Sequence, residues 1–390
     1  MDHTYIDDPA ALRSLAERLR GEPLLAVDTE AAGYHRYLDR LSLVQISTRH
    51  SAAREAERGR PVADRDRNFL IDPLALPDLA PVGELLEDER IEKVFHDADY
   101  DLRILHRDLG FSVRNLFDTQ IAASFLGERA LGLGAIVEKY LGIKLPKGFQ
   151  RADWAERPLS PGMKEYAAMD TAYLPELRDR LHAELEARGR LAWAEEEFRR
   201  REGTRWTEDP EAREAFLRIK GARDLPPRGL AILRELHEWR EEVARERDQA
   251  TFRILSNQAL LEICVRAPQT EQALTSIGGV SEALVRRRGG DMLAAIRRGL
   301  AVPETELPRF PTARRWERDP EVEARVERLK SVRNRRAQEL DLDPGFLMSR
   351  ATLEEVARRS PAAPSEMEAL PEVRRWQIEA LGDEVLRALR

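Results

Sequence analysis

Cysteine is almost missing from this chain of 390 residues; the single one, Cys264, excludes an internal disulfide, and its apolar setting in LLEICV reads as a small core residue. Lysine is scarce too, because 7 of the 64 basic residues are Lys, leaving 64 − 7 = 57 Arg. That bias runs along the whole chain and so marks no particular site. No apolar run is long enough to span a bilayer, and the opening MDHTYIDDPAALRSLAERL lacks the basic start and apolar core of a secretory leader. These absences predict a cytoplasmic protein with no membrane partner. No GxxxxGK pattern supports an ATPase, and no Cys/His spacing supports zinc. The net charge of −7 argues against a surface that grips nucleic acid everywhere, yet it permits a local basic groove.

What is present exceeds one ordinary core and predicts two or three domains. The first half alternates strand and helix signals. PLLAVDTE, RLSLVQIST, FLIDPL and IEKVFHDA read as four strands, with amphipathic helices around Leu12 to Leu19 and Asp101 to Leu109. This is an α/β pattern with a mixed sheet, expected over residues 1–205. A polar stretch from Arg49 to Asn68 reads as a long mobile excursion that covers or flanks the site, or as a disordered insertion. From about Thr171 onward strand signals vanish, and AYLPELRDRLHAELEARGRLAWAEEEF predicts one long helix leading out of the domain.

The all-α remainder contains a repeat. ILSNQALLEICVRAP from Ile254 matches LMSRATLEEVARRSP from Leu347 at a fixed shift, Ser349 against Ser256 giving 349 − 256 = 93 residues, and the same shift pairs Gly289 with Gly382. Two copies of a small helical domain are expected over 209–300 and 319–390, joined by the Pro-rich VPETELPRFPTARRW. Copy one carries Arg286, Arg287 and Arg288 near a helix end, either a phosphate contact or a solvated charge run. In copy two VRRW reads as the matching stretch, with Trp376 in the place of Arg288, so the copies are expected to divide labour, one contacting phosphate and the other mainly packing.

Three segments concentrate carboxylates. Asp28 and Glu30 stand two apart at the end of an apolar run, so a strand would project both from one face at its C-terminal end, where open α/β sheets hold ligands. That pair is either a solvated loop edge or half of a cation site. HDADYDLRIL supplies Asp97, Asp99 and Asp101 at a helix start; one of them is expected as the N-cap, with Asp101 already on the helix beside Leu102. His96 reads as a strand-end histidine satisfied locally, or as a phosphate contact. In MKEYAAMDTAYL, Tyr166 and Asp170 lie four apart on one helical face. Oxygen ligands converging from separate elements suit hard divalent cations, and two such ions support phosphodiester cleavage.

In order and spacing these segments resemble the three exonuclease motifs of the DEDD 3′-5′ exonuclease superfamily, in its tyrosine-type branch, since Glu165 stands where the other branch has histidine. LFDTQIAASFLG and LGLGAIVEKYLGIKLPKGFQRADWAERPL resemble the connecting segments of the ribonuclease D family, and the two helical copies resemble the HRDC domain. The resemblance implies a ribonuclease H-like nuclease fold. It also implies two Mg²⁺ or Mn²⁺ ions held by Asp28, Glu30, Asp101 and Asp170, with Tyr166 orienting the attacking water. The implied activity is hydrolysis of single-stranded RNA 3′ ends to nucleoside 5′-monophosphates, in tRNA 3′-end maturation or other RNA processing. Because the acids act on a phosphodiester, a DNA exonuclease of the same superfamily and an inactive nucleic-acid-binding scaffold stay open. Ala31, Ala32 and Gly33 depart from the family's bulkier residues after the first motif, which implies a wider floor beside the scissile nucleotide.

Overall fold

The computed structural model describes residues 2–49, 67–311 and 319–390. Its first part contains, in order, β1 (Thr4–Ile6), α1 (Pro9–Leu19), β2 (Leu24–Ala31), β3 (Leu41–Ser47), β4 (Asn68–Ile71), α2 (Ala80–Glu87), β5 (Glu92–Phe95), α3 (Asp99–Leu109), β6 (Leu116–Asp118), α4 (Thr119–Phe125), α5 (Leu133–Leu141), α6 (Pro161–Ala172), α7 (Leu174–Ala187) and α8 (Leu191–Glu202). The strands form one mixed sheet in the order β1-β4-β3-β2-β5-β6. β3 runs antiparallel to β2 and β4, and the outer pairings are parallel. Every residue of β3 is buried, as a strand covered on both faces requires.

Alternation along β2 assigns its two faces. Leu25 and Val27 join the core under α1, α2 and α3, whereas Leu24 and Ala26 face the core built by α4, α5 and α7. Asp28 and Glu30 continue that second face where the apolar residues stop. α6 lies across this face, with Met163, Ala167 and Ala168 packed on Leu43 and Leu70, and Trp154 is buried in the same cluster. Ser160 caps α6 by accepting from the Met163 N–H at 3.3 Å, with Pro161 in the first turn.

The segment before α6 is fastened by one buried ion pair. Arg157 donates to both oxygens of Asp72, at 2.6 and 2.7 Å, and also to the Ser42 and Trp154 carbonyls. Burial pushes the Asp72 carboxyl up, but the bonds from Arg157 and Tyr5 outweigh it and hold the group below its ordinary value.

Four readings of the sequence need correction. The long exit helix is two helices, α7 and α8, broken at Gly189, whose φ of +64° is costly for other residues. None of Asp97, Asp99 and Asp101 caps α3, whose N-cap is Ala98; Asp99 instead pairs with Arg103 at 2.8 Å. Trp376 does not replace Arg288, because the shift of 93 places it opposite Ala283 (376 − 93 = 283). Ala32 is buried, and an added Cβ on Gly33 would collide with the Asp39 carboxylate, so these small residues serve close loop packing. The expected excursion falls mostly on residues 50–66, and part of the Pro-rich linker on 312–318; both lie outside the described residues.

The helical part repeats with the same shift. Copy one has α9 (Pro227–Arg247), α10 (Thr251–Ile254), α11 (Asn257–Arg266), α12 (Glu271–Thr275) and α13 (Glu282–Ala301); copy two has α14 (Pro320–Leu340), α15 (Pro344–Leu347), α16 (Arg350–Arg359), α17 (Pro364–Glu368) and α18 (Arg375–Leu389). Each start is displaced identically, as in 320 − 227 = 93 and 375 − 282 = 93. The caps repeat too: Ser256 and Ser349 accept from Ala259 and Thr352 N–H, and Asp248 and Asp341 end the long helices at φ of +45° and +50°.

The two copies sit differently on the sheet domain. Copy one encloses its own core and touches the loop after β2, where Ala250 N–H donates to the His35 carbonyl at 3.0 Å. Copy two shares one continuous core with α4, α7 and α8. Trp376 stacks on Phe346 and meets Phe125 edge-on at 4.9 Å between centroids, while its indole N–H donates to Glu197 at 2.7 Å. Glu196 accepts the Arg375 and Trp376 N–H groups, so a carboxylate of α8 caps α18. Trp376→Ala is therefore expected to cost about 3–5 kcal/mol, read as a shift of the whole urea transition; a variant in which the helical part alone melts early would contradict the shared core.

Candidate active site

The end of β2 delivers the first carboxylates. Asp28 opposes Gln45 of β3, whose side-chain amide donates to the Asp28 Oδ2 at 3.3 Å, and the register shifts between Glu30 and Ala31, so the ladder is irregular at that point. Thr29 points to the opposite face, toward α3. Its hydroxyl donates to Asp101 Oδ1 at 2.5 Å, which holds the buried Asp101 in the first turn of α3. Asp118 prepares that turn: it accepts from the Asp97 and Ala98 N–H groups and also caps α4 through Gln120 and Ile121 N–H. Sequence reasoning gave Thr29, Gln45 and Asp118 no role. For Asp118 the signal was an acid directly before a helix, the usual mark of a cap.

α6 brings the remaining groups. Asp28, Glu30 and Asp170 each present a carboxylate oxygen, and these lie within 4.8 Å of one another. Tyr166 is one helical turn before Asp170, and both line the same cavity with Gln150. The structure thus brings all five motif residues together, with Asp101 approaching from the Thr29 side.

Asp28, Glu30, Tyr166 and Asp170 border a cavity of about 890 Å³ whose wall also includes His96, Leu133, Lys144, Leu145, Lys147 and Gln150, whereas Asp101 stands behind it, bonded to Thr29. None of Arg286, Arg287 and Arg288 lines it; Arg287 donates to the carbonyl of Ala283 on its own helix, and Arg288 binds Glu246 at 2.6 Å. Ala31, Ala32 and Gly33 are not among the cavity's lining residues either. His96 is held locally: Thr119 spends its hydroxyl proton on the Phe95 carbonyl and therefore accepts from His96 Nδ1, at 2.9 Å. Burial lowers the His96 pKa, which keeps the ring neutral.

Crowded carboxylates dominate the electrostatics. Burial and the neighbouring Asp170 charge push Asp28 up to about 8, and burial with Asp28, Asp170 and Asp101 pushes Glu30 up to about 10. Burial raises Asp170 to about 7, and burial with Asp28 raises Asp101 well above its ordinary value. Groups that resist ionisation this strongly without a counter-charge form a donor set suited to hard cations, because a divalent ion relieves the repulsion and takes oxygen ligands. The set therefore fits the use of divalent metal.

Comparison with known proteins agrees with this geometry. A family model described as 3′-5′ exonuclease matches residues 3–186, and one for the HRDC domain matches residues 229–296 and 322–389. Ribonuclease D of Pseudomonas paraeruginosa is 33% identical over 389 residues, covering 99% of this chain and 97% of the relative. The crystal structure of Escherichia coli RNase D, described as an exoribonuclease involved in structured RNA processing, matches with a TM-score of 0.68 and 30% identity over 100% of this chain and 99% of that one. The catalytic core of RRP6 from Trypanosoma brucei matches with a TM-score of 0.66 and 27% identity, covering 77% of this chain and 80% of its own.

A stability test follows from the raised acids. Between the unfolded carboxylate pKa near 4 and the folded values of about 7 and 8 for Asp170 and Asp28, the folded state binds more protons, so rising pH favours unfolding. In EDTA the melting temperature is expected to fall from pH 5 to 8, less so in Asp170→Asn, and Mg²⁺ is expected to restore the wild type but not the variant. An EDTA profile identical in both proteins would contradict the crowding.

Proposed function

Because the chain belongs to the ribonuclease D family and is a 3′-5′ exoribonuclease, we propose that Asp28, Glu30, Asp101 and Asp170 hold two divalent cations, Mg²⁺ or Mn²⁺, above the end of β2, and that Tyr166 positions the attacking water. The observation that carries this reading is the convergence of the Asp28, Glu30 and Asp170 oxygens within 4.8 Å in a cavity that Tyr166 also lines. When bound, the ions supply water activation and stabilise the leaving oxygen.

The protein's own groups do the rest. Burial first, then the neighbouring carboxylates, keep the Tyr166 phenol well above its ordinary pKa, so it acts as a neutral hydrogen-bonding group that fixes the water rather than as a phenolate base. Gln45 and Thr29 fix the Asp28 and Asp101 carboxylates, limiting how far the ligands can swing. Lys144 and Lys147 border the same cavity and offer positive charge to the terminal phosphates. Hydrolysis of an unpaired RNA 3′ end in this setting releases nucleoside 5′-monophosphates, and tRNA 3′-end maturation is a suitable use. The proposed units are a nuclease domain over 1–205 and HRDC copies over 209–300 and 319–390. Arg286 and Arg287, both exposed, offer a secondary RNA contact on copy one, whereas Arg288 is committed to Glu246.

With a 5′-labelled single-stranded RNA and Mg²⁺ or Mn²⁺, a gel time course is expected to show a ladder shortening from the 3′ end. Asp28→Ala or Asp170→Ala abolishes it while circular dichroism stays native. Tyr166→Phe lowers kcat by roughly 10²-fold, the scale of a misplaced reacting group. Retained turnover in either aspartate variant would sink the assignment of the acids, and an unchanged rate in Tyr166→Phe would remove the phenol from the mechanism.

A further inference from the structure

A group of rings and guanidinium groups lies outside the acidic cavity, at the seam between the loop after β2 and copy one. Tyr34 and Phe252 meet with ring centroids 5.4 Å apart, although each stays largely in solvent, at 43% and 48% exposure. Arg151 sits over the Tyr34 ring at 5.5 Å, and Arg253 lies 5.6 Å from Tyr34 and 5.7 Å from Phe252. The acids of the seam are already taken, since Arg36 pairs with Asp153 at 2.9 Å and with Asp248 at 3.7 Å. Among the described residues no carboxylate pairs with Arg151 or Arg253. In a chain of net charge −7, two exposed guanidinium groups without acid partners beside two exposed rings form a local anion-seeking, ring-stacking surface.

Its position gives the surface a direction. His35 ties the two sides of the seam, its Nε2–H donating to the Arg151 carbonyl at 2.7 Å and its Nδ1 accepting from the Arg253 guanidinium at 2.9 Å. Two residues before Arg151, Phe149 is 43% exposed with its ring 6.1 Å from that of Tyr166, and Gln150 between them borders the acidic cavity. A line of rings and cations therefore runs from Tyr166 through Phe149 and Arg151 to Tyr34 and Phe252.

We propose that Tyr34, Phe252, Arg151 and Arg253 form a stacking platform for the single RNA strand upstream of the 3′ end that enters the acidic cavity. Bases stack on the two rings irrespective of sequence, and the guanidinium groups take backbone phosphates. The platform joins the nuclease part to copy one, so the strand itself bridges the two. This inference rests on the acidic cavity being where the 3′ end is cut.

The test measures binding of a 5′-fluorescent single-stranded RNA of about 16 nucleotides, within the site sizes of single-strand binders, to the full chain in EDTA by anisotropy. Hydrolysis of a dinucleotide in Mg²⁺ serves as the readout of the acidic cavity by itself. Tyr34→Ala and Phe252→Ala each raise Kd by roughly ten-fold, the scale of one lost base stack, and leave dinucleotide turnover unchanged. Tyr34→Phe and Phe252→Tyr retain wild-type affinity. Unchanged Kd in the double alanine variant overturns the platform and leaves the patch to a protein partner. Equal loss of dinucleotide turnover in the alanine variants also overturns it, because the rings would then merely support the cavity. Wild-type protein that binds the long RNA yet cuts neither substrate refutes the cutting site instead, which separates the two failures.

Discussion

Repulsion among carboxylates pressed into one cavity is the constraint on which this structure turns. Left free, Asp28, Glu30 and Asp170 would separate or take up protons; they stay within 4.8 Å because two packed pieces of backbone hold them. Asp28 and Glu30 ride a strand buried in the middle of the sheet, and Asp170 rides a helix packed on that strand's neighbours through Met163, Ala167 and Ala168. Asp101 is tied down by Thr29, while Asp118 sets the turn from which its helix starts. Much of the fold's rigidity is thus directed against the natural tendency of one small cluster to fly apart.

The supports are neither acidic nor close in sequence, which explains what could be read in advance. The four long strands and the five motif residues were legible because their signals are local: apolar runs, a two-residue alternation, a four-residue helical spacing. β1 and β6 passed unread, since three residues such as Thr4–Ile6 carry no period and become a strand only by pairing with β4. The break between α7 and α8 was hidden by continuous apolar spacing, although Gly189 marked it. Asp99 resembled a cap, but an arginine far along the chain, Arg201, shares it with Arg103, and no pattern of neighbours reveals that partner. The acids were visible, whereas the groups that aim them are known only from the folded chain.

The repeat shows how one helical plan was turned to two uses. Helix starts, serine caps and left-handed aspartates keep a constant displacement, so the backbones are equivalent. The surfaces are not. Copy two places Trp376 where copy one has Ala283, and the indole is driven into a core shared with Phe125 and the sheet domain. Copy one keeps its own core and meets the loop after β2 through polar bonds and the rings of Tyr34, Tyr37 and Phe252. A single large ring at the second position of a helix thus goes with a core shared across the boundary in one copy and a separate core in the other.

The fused arrangement also bears on how the polypeptide is made. Phe125 and Trp193 are apolar groups of the first half, yet they are covered by Phe346 and Trp376, the latter translated 376 − 125 = 251 residues after Phe125. While the ribosome is still working, the emerging sheet domain must carry an uncovered aromatic face, a surface that invites chaperones or self-association. Folding of copy two onto the sheet domain is therefore what takes these rings out of solvent, so the two parts depend on each other for solubility although they are far apart in sequence.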